Sequence, residues 1–302
     1  MIPWIHLDTA QAPGGGELKL SRRGDEFSIK IGGAELMNSR LSGSEKALAT
    51  LACERIRDRP RPRLLIGGLG MGFTLRAALE ALPPGASVVV AELVPAVVAW
   101  ARGPMAELFG DSLEDPRVTI VEEDVGAVIR AARGEYDAIL LDVDNGPEAM
   151  TSAANDGLYG PEGLGEARGA LKGGGVLAVW SQGPDRAFGG RLFKSGLSVE
   201  EVRVRAHRPG KGARHVIWLA TKAPEGRSGK PKRRSPPARP YARARSAKAE
   251  SRSPNRSPCT TTWARSRARA ASSSPARIAF TICSCSSNDA LRRFCTRSCR
   301  RR

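Results

Sequence analysis

Leu64-Leu65-Ile66-Gly67-Gly68-Leu69-Gly70-Met71-Gly72 is the stretch that decides the fold. An apolar run long enough for one buried strand breaks into closely spaced glycines and then enters a helical pattern over about 72–82. Outward from it, apolar runs and helical stretches alternate. SVVVAEL (87–93) precedes a helix over about 95–108, and VTIVEED (118–124) a short helix near 126–132. YDAILLDVD (136–144) precedes a loop and a helix over about 161–171, and VLAVWSQ (176–182) a helix near 185–195. The runs are short, rich in β-branched residues and apolar on both faces, as buried parallel strands are. Strand–helix alternation implies a doubly wound α/β sheet with right-handed crossovers. LSVEEVRVRA (197–206) and HVIWLATKA (215–223) then follow with only a turn-rich link between them, which predicts an antiparallel hairpin closing a mostly parallel, seven-stranded sheet of class I methyltransferase type.

Ahead of this domain, residues 17–37 alternate polar and apolar with breaks at Arg-Gly-Asp and Gly-Gly, which predicts two or three short antiparallel strands. A helix follows, with Ser42 and Glu45 at capping-box spacing and Ala47, Leu48, Leu51, Ala52 and Ile56 on one face. The expected organisation is an N-terminal β segment and leading helix over 1–58, an S-adenosylmethionine-binding domain over 59–222, and a tail over 223–302. The 302-residue chain carries a formal charge of +17, but the charge is divided unevenly. Residues 1–222 hold 27 Lys and Arg against 28 Asp and Glu, while 223–302 hold 21 against 3. A basic whole-chain balance would suggest nucleic acid or membrane partners, yet it belongs to the tail alone. That tail is Arg-, Ser-, Pro- and Ala-rich without hydrophobic period, so it reads as disordered. Its composition is also what a shifted reading frame yields in a GC-rich gene, and a nucleic-acid partner follows only if the tail is a genuine arm.

Cys53 is alone in the body and five cysteines lie in the tail, none in a CxxC pair, so neither a disulfide framework nor a metal site is expected. The three histidines, His6, His207 and His215, are scattered, which argues against a Ser–His triad. No run approaches a membrane span and the N-terminus lacks signal-peptide features, giving a reduced, cytoplasmic protein as the expectation.

The chemistry-bearing residues sit at strand ends. Gly68, Gly70 and Gly72 form G-x-G-x-G, the spacing of adenosylmethionine-binding domains; the G-x-G-x-x-G of NAD sites would need a glycine where Phe73 stands. Glu92, twenty residues after Gly72, ends the second strand, where a carboxylate accepts from ribose hydroxyls. Glu122-Glu123-Asp124 end the third, where an acid accepts from an adenine amino group. Asp142 and Asp144 end the fourth, beside the switch point of the sheet. Two close carboxylates there could hold a cationic amine, and one could act as general base; a capped turn would read the same way. Trp100, Trp180 and Trp218 read as core.

From Glu17 to Lys222 the chain resembles the spermidine/spermine synthases, in LLIGGLGMG, VVVAEL, VEED, YDAILLDVDNGP and LYGPEGLGEARGALKGGGVLAVWSQGP taken in order. The resemblance implies an aminopropyltransferase using decarboxylated S-adenosylmethionine and a small-molecule amine, with a homodimer through the N-terminal strands. It implies that Gly68, Gly70 and Gly72 line the cofactor, Glu92 takes the ribose, Asp124 the adenine, Asp142 is the catalytic acid, and Asp144, Asn145 and Tyr159 lie on the substrate side. The chain departs from the family pattern at three places. Gly70 stands where the family has the Asp of G-G-G-D-G. Asn145 stands for the second acid of D-S-S-D-P, and Gly43-Ser44-Glu45 stands for Tyr-His-Glu. The cofactor blocks are kept and the acceptor blocks changed. The alternatives are a methyltransferase using S-adenosylmethionine itself and a non-catalytic nucleoside-binding relative.

Overall fold

The computed structural model describes residues 2–13, 15–143, 157–206 and 213–224, all within one compact unit, Met1–Gly229. The basic tail, Asp144 and Asn145 lie outside the described residues.

The main sheet has seven strands: β5 (Arg63–Gly67), β6 (Ser87–Ala91), β7 (Val118–Val121), β8 (Tyr136–Leu141), β9 (Leu171–Ser181), β10 (Ser198–Arg205) and β11 (Arg214–Thr221). Their order is β10-β11-β9-β8-β5-β6-β7. β5 pairs in parallel with both β6 and β8, so the chain reverses its direction of travel across the sheet at β5, and ligand crevices form at such a switch. β11 runs antiparallel between β9 and β10, as the hairpin reading expects. Both faces are covered. The period of two sends Leu64, Ile66, Ala138 and Leu140 into one apolar cluster and Leu65, Ile139 and Leu141 into the other. The first face receives α1 (Gly43–Arg55), α2 (Phe73–Ala81) and α3 (Pro95–Arg102); the second receives α5 (Val125–Ala131), α6 (Pro161–Ala170) and α7 (Arg186–Lys194).

Four details depart from the sequence reading. The helix expected over 95–108 stops at Arg102 and resumes as a single turn, α4 (Ala106–Phe109), because Gly103-Pro104 interrupts the backbone ladder. β9 begins five residues early, at Leu171: three consecutive glycines, 173–175, read as a loop but continue the strand through an irregular register against β8. The N-terminal sheet has four strands, β1 (Ile5–Gln11), β2 (Glu17–Arg23), β3 (Glu26–Ile31) and β4 (Ala34–Asn38), in meander order. β1 lies ahead of the stretch that reads as strands, and nearly all of its side chains are exposed. The capping box also fails: Ser42 precedes α1 but its hydroxyl makes no cap bond, and Glu45 bonds to Ser44 instead.

Candidate active site

β5 delivers its chain to the glycine loop with no room to spare. Gly68 (φ +90°) lies so close to the end of β8 that a Cβ would stand 2.6 Å from the Asp142 carbonyl oxygen. Gly72 (φ +76°) opens α2 in the left-handed region, and a Cβ there would meet the Phe109 ring at 2.5 Å. Only glycine satisfies both demands. Gly70 faces Met37 of β4, whose sulfur would lie 3.5 Å from an added Cβ, so the small sheet closes over the loop.

Glu92, just past β6, is buried and accepts from Leu69 N at 2.8 Å and Val94 N at 2.9 Å. Burial pushes its pKa up, and these backbone donors oppose the rise. The carboxylate therefore fastens the glycine loop to the neighbouring strand end. Asp124 caps α5, its Oδ1 accepting from Ala127 N at 2.9 Å. Tyr159 is buried in the second apolar cluster, edge-on to Phe188 with 5.6 Å between ring centroids.

Asp142 follows β8 directly. Its Oδ2 accepts from the Thr74 hydroxyl at 2.7 Å, which ties it to the first turn of α2. Burial pushes its pKa up, only partly countered by Thr74. Beside it a cavity of about 250 Å³ is walled by aliphatic and aromatic groups, among them Leu36, Met37, Phe73 and Trp180. Its titratable lining groups are Asp142, Glu45 and His215; no Lys or Arg is among the lining residues. A wider depression of about 420 Å³ around Cys53 and Pro60 lies at the amino ends of the parallel strands, away from the glycine loop.

The sequence reading gives Glu45 a place in the capping box and in the Gly43-Ser44-Glu45 block but no site role, and His215 none; both line the cavity beside Asp142. Burial pushes Glu45 up to about 7, with the negative charge of Asp142 as the second cause. The Ser44 hydroxyl lies 2.9 Å from Glu45 Oε2 and, on its other side, 2.9 Å from His215 Nδ1. His215 stacks edge-on to Trp180 at 4.8 Å, and burial lowers its pKa. His215 reaches this place because β11 is antiparallel: it begins where β9 ends, with Val216 opposite Ser181. Trp180, expected in the core, is half-buried and lines the cavity, and its indole nitrogen is buried without a hydrogen-bond partner. Trp100 and Trp218 are core residues as expected. Ser44 is buried at 1 % exposure between two partners, which does not make it a nucleophile.

Among the described residues no three His, Cys, Asp or Glu side chains converge as a metal site, and no helix is long and apolar enough to cross a membrane.

No family model matches the chain. Curated relatives do. It is 29 % identical over 172 residues to a polyamine aminopropyltransferase of Mycobacterium tuberculosis, covering 56 % of this chain and 31 % of that one. It is 38 % identical over 86 residues to polyamine aminopropyltransferase 1 of Streptomyces coelicolor (28 % and 16 %), and 30 % identical over 126 residues to the polyamine aminopropyltransferase of Korarchaeum cryptofilum (42 % and 37 %). The chain thus spans about a third or less of the length of these relatives. Among solved structures, spermidine synthase of Thermotoga maritima superposes with a TM-score of 0.58 at 19 % identity, over 73 % of this chain and 74 % of that one. A spermidine synthase bound to the transition-state analogue AdoDATO gives the same score and identity over 73 % of each chain. This agreement establishes the shared fold.

Proposed function

We propose that this spermidine synthase-like chain is a transferase that moves an aminopropyl group from decarboxylated S-adenosylmethionine to an amine acceptor. The observation that carries the reading is the acid pair Asp142 and Glu45 in an apolar-walled cavity without a cation, next to the glycine loop. Such a cavity stabilises an ammonium group on a hydrocarbon chain and disfavours a carboxylate. A donor that has lost its carboxylate and an acceptor that is an amine both meet that requirement. The relatives named polyamine aminopropyltransferase support the same chemistry.

In this reading the nucleoside lies along the loop Gly68–Gly72, with Glu92 at the ribose and Asp124 on the adenine side, and the amine enters the cavity. Asp144 and Asn145 belong to the acceptor side of the same proposal; Tyr159, buried in the second apolar cluster, is not among the residues that line the cavity. Asp142 orients the attacking nitrogen and takes its proton as the nitrogen bonds to the carbon next to the sulfonium. The carbon–sulfur bond breaks, its electron pair stays on sulfur, and methylthioadenosine leaves neutral. Most of the acceleration comes from aligning the nucleophile with the bond that breaks.

The test incubates the full chain with putrescine and each sulfonium donor, with mass detection of products. Spermidine and methylthioadenosine are expected from the decarboxylated donor. Binding of ordinary S-adenosylmethionine with no spermidine from the decarboxylated donor would overturn aminopropyl transfer and leave methyl transfer or binding alone. Gly70, which provides no acid for the donor's amine, is the feature that favours that second reading.

A further inference from the structure

The acid pair is half-buried in the cavity, and a transfer that releases a proton there needs a route by which the proton leaves. Three side chains from two distant parts of the chain form a continuous hydrogen-bonded line along the cavity wall, from Glu45 to His215. Glu45 Oε2 meets the Ser44 hydroxyl at 2.9 Å, and that hydroxyl meets His215 Nδ1 at 2.9 Å. Ser44 is almost fully buried, so its hydroxyl is shielded from exchange with bulk water except through its two partners. His215 is half-buried at the start of β11, next to exposed Ala213 and Arg214. Ser44 bridges the cavity acid Glu45 to the half-buried imidazole of His215.

We propose that Glu45, Ser44 and His215 are a proton relay that empties the acid pair of the cavity; the inference rests on the amine-transfer reading of that cavity. The titratable groups facing Glu45 are Asp142 from the end of β8 and His215 from β11. Thr74 of α2 and Trp180 and Gln182 at the end of β9 face the same cavity as neutral groups. Two adjacent half-buried carboxyls do not both ionise readily, so the pair retains the proton that the amine gives up. Glu45 then donates it to Ser44 Oγ as the Ser44 hydroxyl proton passes to His215 Nδ1. The imidazolium so formed releases its Nε2 proton to water, and tautomer exchange with water resets the ring. No bond other than O–H and N–H changes, and one proton leaves for each one taken from the amine. Glu45 is placed to touch substrate; Ser44 and His215 act through it as positioning and relaying residues.

The relay is read by NMR titration of the full chain, independently of turnover. With Glu45 ionised, Ser44 donates to it, so His215 is expected as the Nδ1–H tautomer at pH 8. Ser44→Ala should return it to the ordinary Nε2–H form and shift the titration of both Glu45 and His215. An Nε2–H ring in the wild type, with titrations indifferent to Ser44→Ala, would overturn the relay. Kinetics with putrescine and the decarboxylated donor supply the second reading. Ser44→Ala and His215→Gln should each lower kcat about tenfold with the amine KM unchanged, and should move the acid limb of the pH profile. An unaltered kcat and limb in both variants would also overturn it. A wild type that makes no spermidine while its tautomer and titrations answer to Ser44→Ala would defeat the transfer reading and support the relay.

Discussion

Strand β8 carries one acid near its amino end and is followed by another just past its carboxyl end, and the two stand in opposite electrostatic settings. Asp137, at the amino end, is 1 % exposed and fully served: Lys172 Nζ lies 2.6 Å away, Arg59 Nη1 3.5 Å away, and Arg63 N donates at 2.8 Å. Asp142, at the carboxyl end, has a hydroxyl for a partner and another carboxyl for a neighbour. The first is neutralised by the protein and serves to lock β5, β8 and β9 together. The second receives no countercharge among the described residues that line its cavity. Burial of an acid therefore says little about its role; what matters is whether the protein supplies the countercharge.

The sharpest way to break this comparison is to neutralise each acid in turn. Asp142→Asn should reduce turnover of the amine by about a thousandfold, in the range of lost general-base catalysis, while a thermal melt shows no loss of stability. A large fall in melting temperature would make Asp142 a structural acid like Asp137. Asp137→Ala should do the reverse: about 3 kcal/mol of stability lost by denaturant titration, because Lys172 and Arg59 lose their shared anion, with methylthioadenosine affinity retained by the folded protein. Glu45→Gln sharpens the contrast through pH. The folded pKa of Glu45, about 7, exceeds its unfolded value of 4.5, so its protonated form is favoured by folding. Wild-type stability then falls as pH rises from 4.5 to about 7 and levels off above. The Gln variant should gain about 2 kcal/mol over wild type at pH 8 and nothing at pH 4. Equal melting temperatures for the two proteins at pH 8 would mean that the cavity does not penalise the charge. Lys172→Met is the mildest test: about 1 kcal/mol lost, since Arg59 and the Arg63 amide still serve Asp137.

Sequence order made one half of this site legible and hid the other. Gly68, Gly72, Glu92 and Asp142 stand at the ends of recognisable strands, and the rule that α/β sheets bind at their carboxyl ends locates them without a structure. Glu45 reads in the sequence as a helix-capping acid and as the last residue of the Gly43-Ser44-Glu45 block, and nothing in the spacing shows that it turns toward Ser44. Asp124 shows the converse: a strand-end acid in the sequence, it spends one oxygen on the cap of α5. His215 lies 171 residues from Ser44, and only the antiparallel insertion of β11 brings them together. Glu92 was legible by position, but its double hold on Leu69 and Val94 was not. Its loss should therefore affect folding as well as any ligand.

The cavity draws on the small sheet as much as on the large one. Leu36, Met37 and Asn38 of β4 stand opposite Phe73, Thr74 and Asp142, with Met37 against Gly70. The four-stranded meander is therefore not an appendage that could be exchanged freely between relatives. A ligand entering this cavity meets both pieces at once, so a chimera carrying another relative's N-terminal strands would exchange part of the cavity wall along with them.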